Sequence, residues 1–132
     1  MKNHWLFWHG THSQNLVSIM NQGLKISPRN ASRTGQMFGE GIYFADTYEK
    51  ADNYSYGKDS KYVLLCEVAL GKMHNTLIMS DSAINPKNLQ CDSVRGMGKI
   101  GPHPSSHIIK NGVVIPIVRS TEFAPPYFAG HN

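Results

Sequence analysis

Residues 35–54, GQMFGEGIYFADTYEKADNY, constrain the fold more than any other stretch. Gly39 and Gly41 bracket Glu40 and lead into Ile42, Tyr43, Phe44 and Ala45. That apolar run is too short for a helix and reads as a strand. Asp46-x-x-Glu49 has the form of a capping box, which predicts a helix from there through about Tyr54. The chain must therefore turn on glycine, cross as a strand, and turn again into a helix.

The same order occurs earlier. Residues 5–8 (WLFW) read as a buried strand, ended by His9 and Gly10. Thr11 and Gln14 form a T-x-x-Q box that predicts a helix start. Leu16, Val17, Ile19 and Met20 would be its buried face and Gly23 its terminator. The two units are too dissimilar to be a repeat. Residues 27–35 (SPRNASRTG) read as a polar surface loop. Residues 61–70 (KYVLLCEVAL) give the clearest strand, ended by Gly71. Tyr62, Leu64, Cys66, Val68 and Leu70 share one face and the other is mostly apolar, which predicts a central position. Residues 73–93 read as irregular structure around a short helix, and 94–104 (VRGMGKIGPHP) as a loop. Residues 112–118 (GVVIPIV) read as a strand that Pro116 moves towards an edge or bulge, and 121–132 as loop.

The 132 residues make at most one domain, and 40% hydrophobic content is enough for a core. The net charge of +4 is scattered over Lys25, Arg29, Arg33, Lys58, Lys61, Arg95 and Lys99, with no run of five like charges. A solvated basic surface is the plain reading and attraction to phosphates the alternative; a nucleic-acid arm is not indicated. Cys66 and Cys91 fit no disulfide scaffold or zinc motif, so a reducing compartment is expected. No apolar run approaches the ~20 residues that span a bilayer, so no membrane role is expected and the chain reads as intracellular, in nucleus or cytoplasm if eukaryotic.

Residues 96–101 (GMGKIG) satisfy G-x-G-x-x-G, but Pro102 and Pro104 prevent the helix that a dinucleotide fingerprint requires. His103 and His107 are four apart, but the turn-rich surroundings favour a solvated loop and no third ligand stands out, so no metal is expected. His9 alone would be a core histidine; Gly10 and the helix start after it raise its standing as a ligand-facing group. Tyr43 alone is most simply a core aromatic, and Tyr54 is either packing or a stacking platform.

Several motifs in order carry a family resemblance. Leu6-Phe7-Trp8-His9-Gly10-Thr11, Asn15, Gln22-Gly23-Leu24, the run from Met37 to Asp46, and Lys50-Ala51-Asp52-Asn53-Tyr54 resemble the catalytic domain of the poly(ADP-ribose) polymerases. So do Glu67-Val68-Ala69-Leu70-Gly71, Ser93-Val94-Arg95-Gly96-Met97-Gly98-Lys99 and Gly101-Pro102-His103-Pro104, and the likeness runs from about residue 5 to 118. It implies an α+β fold of the ADP-ribosyltransferase kind, with split small antiparallel β-sheets and flanking helices around an NAD cleft. It implies NAD as co-substrate, cleavage of the nicotinamide–ribose bond, and transfer of ADP-ribose to an acceptor, a protein above all.

By position, the resemblance gives His9 and Tyr43 as triad members, with Lys50 near the reacting ribose. It gives Gly10 as the backbone partner of the nicotinamide carboxamide, and Tyr43 and Tyr54 as the faces against the ring. Thr11, Asn15, Ser18 and Lys25 fall where the family contacts the adenosine half and riboses, and residues 27–35 would be the donor-site loop. Ala51 stands where the family usually has a serine to the carboxamide, and Lys25 replaces a common arginine. The family's catalytic glutamate has no counterpart. Glu122 is the one carboxylate after Asp92, and it sits too early. The sequence is thus expected to be a catalytic domain over 1–132, incomplete at its C-terminus, with an exposed sheet edge and no helical regulatory domain before His9. An inactive NAD- or ADP-ribose-binding module is the alternative; a nucleic-acid-interacting protein would rest on charge alone. The oligomeric state is not indicated.

Overall fold

The aromatic run near the start becomes a seven-residue strand. The computed structural model describes residues 2–26, 37–76, 85–98, 100–117 and 120–122. Strand β1 (His4–Gly10) pairs antiparallel along its whole length with β2 (Val63–Ala69), from His4 opposite Ala69 to Gly10 opposite Val63. Its other edge pairs parallel with β7 (Val113–Ile115), which pairs antiparallel with β6 (Ile108–Lys110). The order is β2-β1-β7-β6. β3 (Met73–Thr76) and β4 (Ser93–Gly96) form a parallel pair, and β5 (Ile100–Pro102) and β8 (Ser120–Glu122) an antiparallel one. The split small sheets are therefore present, with mixed rather than wholly antiparallel pairing.

Several local expectations are corrected. Among the described strands β2 is an edge, not a centre, and Leu65 on it is 52% exposed. β7 lies between β1 and β6, because Pro116 falls just past its end and removes no ladder donor. Residues 73–76, 93–96 and 100–102 hold β3, β4 and β5 where irregular structure and a loop are predicted. The β6–β7 hairpin closes on Asn111 and Gly112, with φ of 51° and 77°, the doubly positive geometry that Asn-Gly favours. The donor-site loop and residues 123–132 lie outside the described residues, as does Lys99.

The first helical segment opens as a 3-10 turn (Ser13–Asn15) and continues as α1 (Leu16–Gln22). Its cap is His12, whose ring accepts from the Gln14 amide; Thr11 is not the cap and instead accepts from Asn15 Nδ2 at 3.2 Å. Leu16 and Ile19 are half-buried, but Val17 and Met20 are exposed, which corrects the predicted buried face. Gly23 ends α1 at φ 76°, its amide donating to the Ile19 carbonyl. Helix α2 (Tyr48–Asp52) is shorter than predicted and begins after Thr47, with no side-chain cap bond from the supposed Asp46 box. The buried side chains include Ala51, Leu70 and Met97 and the polar Thr47, Ser55 and Thr76.

Candidate functional site

The site grows from the end of β1. Trp8 and Ala45 exchange two backbone hydrogen bonds of 2.8 Å each, which lays residues 43–45 beside β1. This is an isolated bridge, so the strand predicted over residues 42–45 does not form. The Tyr43 carbonyl is used elsewhere: it lies 2.7 Å from His9 Nδ1. A carbonyl only accepts, so Nδ1 carries the proton and the neutral ring keeps Nε2 as an acceptor. The His9 ring also tilts at 56° on Phe44, with centroids 5.5 Å apart.

The Tyr43 hydroxyl donates to the Gly39 carbonyl at 2.6 Å and accepts from the Phe38 amide at 3.0 Å. Burial raises its pKa above the usual phenol value; the Phe38 bond opposes the shift and the Tyr54 phenol adds to it. Tyr54 itself is 42% exposed, and its amide donates to the Ala51 carbonyl at 3.0 Å.

Gly10 meets α2 rather than open space. A Cβ there would lie 1.8 Å from the Ala51 carbonyl oxygen and 3.1 Å from Ser55 Oγ. Ala51 is 2% exposed, and its carbonyl accepts from the Tyr54 amide at 3.0 Å. Ser55 donates to the Tyr62 carbonyl at 3.0 Å, which ties the segment after α2 to the approach of β2. The sequence suggested that the glycine lets a ligand approach; the structure gives that space to a helix.

The end of β1 thus joins Tyr43 through His9 and α2 through Gly10 and Ala51, to whose carbonyl Tyr54 is bonded, with Thr11 and its partner Asn15 directly after. Lys50 is exposed on α2, its charge acting on Asp46. Ser18 and Lys25 are exposed on and beyond α1, and Lys25 donates to Gln22 at 2.6 Å. No contact described joins those two to the His9 group.

A second cluster forms around Trp5. The Arg95 guanidinium lies 5.5 Å from the centre of the Trp5 ring, and His107 meets Trp5 edge-on at 5.3 Å. His107 is thus half-buried packing rather than part of a solvated loop, and burial and then Arg95 lower its pKa. Burial raises the pKa of Asp46, and Arg95 opposes this from nearby. From the sequence Asp46 reads only as a helix cap. Its position directly after the Tyr43 run was the available signal. Among the described residues no group of three metal-ligating side chains gathers, and no helix is long and apolar enough to cross a membrane.

The profile of the poly(ADP-ribose) polymerase catalytic domain matches residues 1–124. Poly [ADP-ribose] polymerase 2 of Arabidopsis thaliana is 45% identical over 127 residues, covering 92% of this chain and 20% of that protein. Poly [ADP-ribose] polymerase 1 of Xenopus laevis is 41% identical over 124 residues, covering 92% of this chain and 12% of that protein. Poly [ADP-ribose] polymerase 2 of Zea mays is 43% identical over 122 residues, covering 88% and 18%. The chain thus spans a fifth or less of the length of these relatives.

Proposed function

From a chain that belongs to the poly(ADP-ribose) polymerase catalytic-domain family, we infer an NAD site built on His9, Gly10, Tyr43, Ala51 and Tyr54. NAD is the substrate: its nicotinamide–ribose bond breaks and ADP-ribose passes to an acceptor, a protein above all. The carrying observation is the 2.7 Å contact from His9 Nδ1 to the Tyr43 carbonyl. It leaves Nε2 to accept from a ribose hydroxyl, and it fixes the segment that carries the Tyr43 ring.

In this reading Tyr43 and Tyr54 are the two aromatic faces against nicotinamide, and a Gly10 backbone group pairs with the carboxamide. Thr11, Asn15, Ser18 and Lys25 serve the adenosine half and riboses. As the bond breaks, nicotinamide leaves with the electron pair and positive charge grows on the ribose. The acceptor attacks that carbon and gives up a proton. Lys50 stands near the reacting ribose, and a carboxylate is needed there to steady the charge.

Binding without turnover is the second reading, favoured by one observation. Glu122 belongs to β8, paired with β5, and not to the sheet that carries His9. Incubation with labelled NAD separates the two: release of nicotinamide with label on protein supports transfer, whereas binding with neither release nor label leaves the module reading. His9→Ala should weaken NAD binding at least tenfold by calorimetry, about the loss of one strong hydrogen bond. Unchanged affinity would remove His9 from the site.

A further inference from the structure

We propose that Phe38 and Gly96 are positioning residues for the Tyr43 ring, because the turn over residues 37–41 is clamped between the Tyr43 hydroxyl and strand β4. This rests on the NAD reading above. On one side the hydroxyl both accepts from the Phe38 amide (3.0 Å) and donates to the Gly39 carbonyl (2.6 Å). On the other side the Phe38 ring occupies the space that a side chain at Gly96 would fill: a Cβ there would lie 2.6 Å from both Cε2 and Cζ. Gly39 is buried with φ 78°, a left-handed conformation that a side chain would strain. With His9 holding the Tyr43 carbonyl, a connected path runs from β1 through Tyr43 and the turn to β4.

The plain alternative is that Tyr43 merely satisfies a half-buried hydroxyl, for which one partner suffices. Two partners on one turn, with that turn gripped independently by a different sheet, do more. They fix the ring in one orientation before a ligand arrives, so less conformational freedom is lost when nicotinamide stacks on it. The clamp therefore acts on the nicotinamide half of the ligand and leaves the adenosine half alone.

The test compares benzamide, which mimics nicotinamide, with ADP-ribose, which lacks it, by calorimetry on the whole chain. Tyr43→Phe keeps the ring and frees the turn; Gly96→Ala displaces Phe38. Each should weaken benzamide about tenfold, while ADP-ribose changes less than about twofold. The double variant should lose about as much as the weaker-binding single one, since both act through the same turn. Phe38→Leu added to Gly96→Ala makes room for the new methyl and should restore benzamide to within about threefold of the parent. If Gly96→Ala does not fold, that rescued pair and Tyr43→Phe carry the same comparison. Unchanged benzamide affinity in Tyr43→Phe or Gly96→Ala, losses that multiply, or equal loss of both ligands would overturn the clamp. A parent chain that binds neither ligand would overturn the NAD reading instead.

Discussion

Gly10→Ala is the most severe small change the site admits. The new methyl would stand 1.8 Å from the Ala51 carbonyl oxygen and 2.8 Å from its carbon. Ordinary contact requires the helix backbone to retreat by about 1.5 Å, because overlap at this range is steeply repulsive. The obstacle is main chain at the end of α2, so no rotamer change relieves it. Overpacking of this kind costs roughly 1–3 kcal/mol, and a backbone clash belongs at the upper end. For a chain of this size that lowers the melting temperature by about 10 °C. The functional loss should be larger than the stability loss, since the retreat displaces Ala51 and with it Tyr54, whose amide is bonded to the Ala51 carbonyl. Displacements near 1 Å cost about a hundredfold where geometry governs. Thermal melts followed by circular dichroism, with benzamide calorimetry well below the melt, measure both. A variant that melts and binds like the parent would show that α2 is not seated on Gly10 and would refute the packing argument.

Three further outcomes follow from the site's electrostatics and composition. The folded pKa of Tyr43 is raised, so its contribution to stability is complete below the usual phenol value of about 10 and is lost as pH rises through the folded value. Denaturant melts should therefore steepen in their alkaline decline in the parent relative to Tyr43→Phe; identical slopes would contradict a buried phenol. Asp46 is also raised, chiefly by burial, so its carboxyl favours the folded state below pH 3.8 and that contribution is lost as pH rises through the folded value. Asp46→Asn should stabilise the chain at pH 7 and lose that advantage near pH 3.5, as read from melts at both pH values. Ala51→Ser adds a hydroxyl at a position 2% exposed, where a carboxamide could accept from it. Benzamide should bind about two- to tenfold tighter, the worth of one net hydrogen bond, and weaker binding would mean the pocket has no room there.

What the sequence made legible was local and aromatic. The WLFW run is too apolar to stay at the surface and too short for a helix, so β1 could be placed, and Gly23 marked the end of α1. β3 and β4 were illegible because their four-residue segments, MHNT and SVRG, carry little strand propensity. They pair parallel across about 20 residues of sequence, and tertiary context decides such pairings. The β6–β7 hairpin is legible in Asn111-Gly112, a turn pair that a reading of residues 112–118 as a lone strand weakened by Pro116 leaves out. The expected burial of Val17 and Met20 failed because the helical stripe shows which residues could face a core, not how much of the stripe a partner covers.

The strand that did not form is the most instructive departure. Residues 42–45 have the composition of a strand, and the bridge from Ala45 to Trp8 shows that pairing begins there. It stops because the next polar groups along the chain are engaged by side chains. The Tyr43 carbonyl meets the His9 ring, and the Tyr43 hydroxyl turns back onto the Phe38 amide and the Gly39 carbonyl. Buried backbone groups must be paired, and a carbonyl held by a histidine in this geometry is withdrawn from a regular ladder. Local propensity thus loses at the residue where the constellation is assembled, as expected where function competes with regular structure. The exchange has a chemical consequence that a continued strand could not supply. A ladder would have left His9 free to take either tautomer, whereas the Tyr43 carbonyl selects the one whose Nε2 can accept.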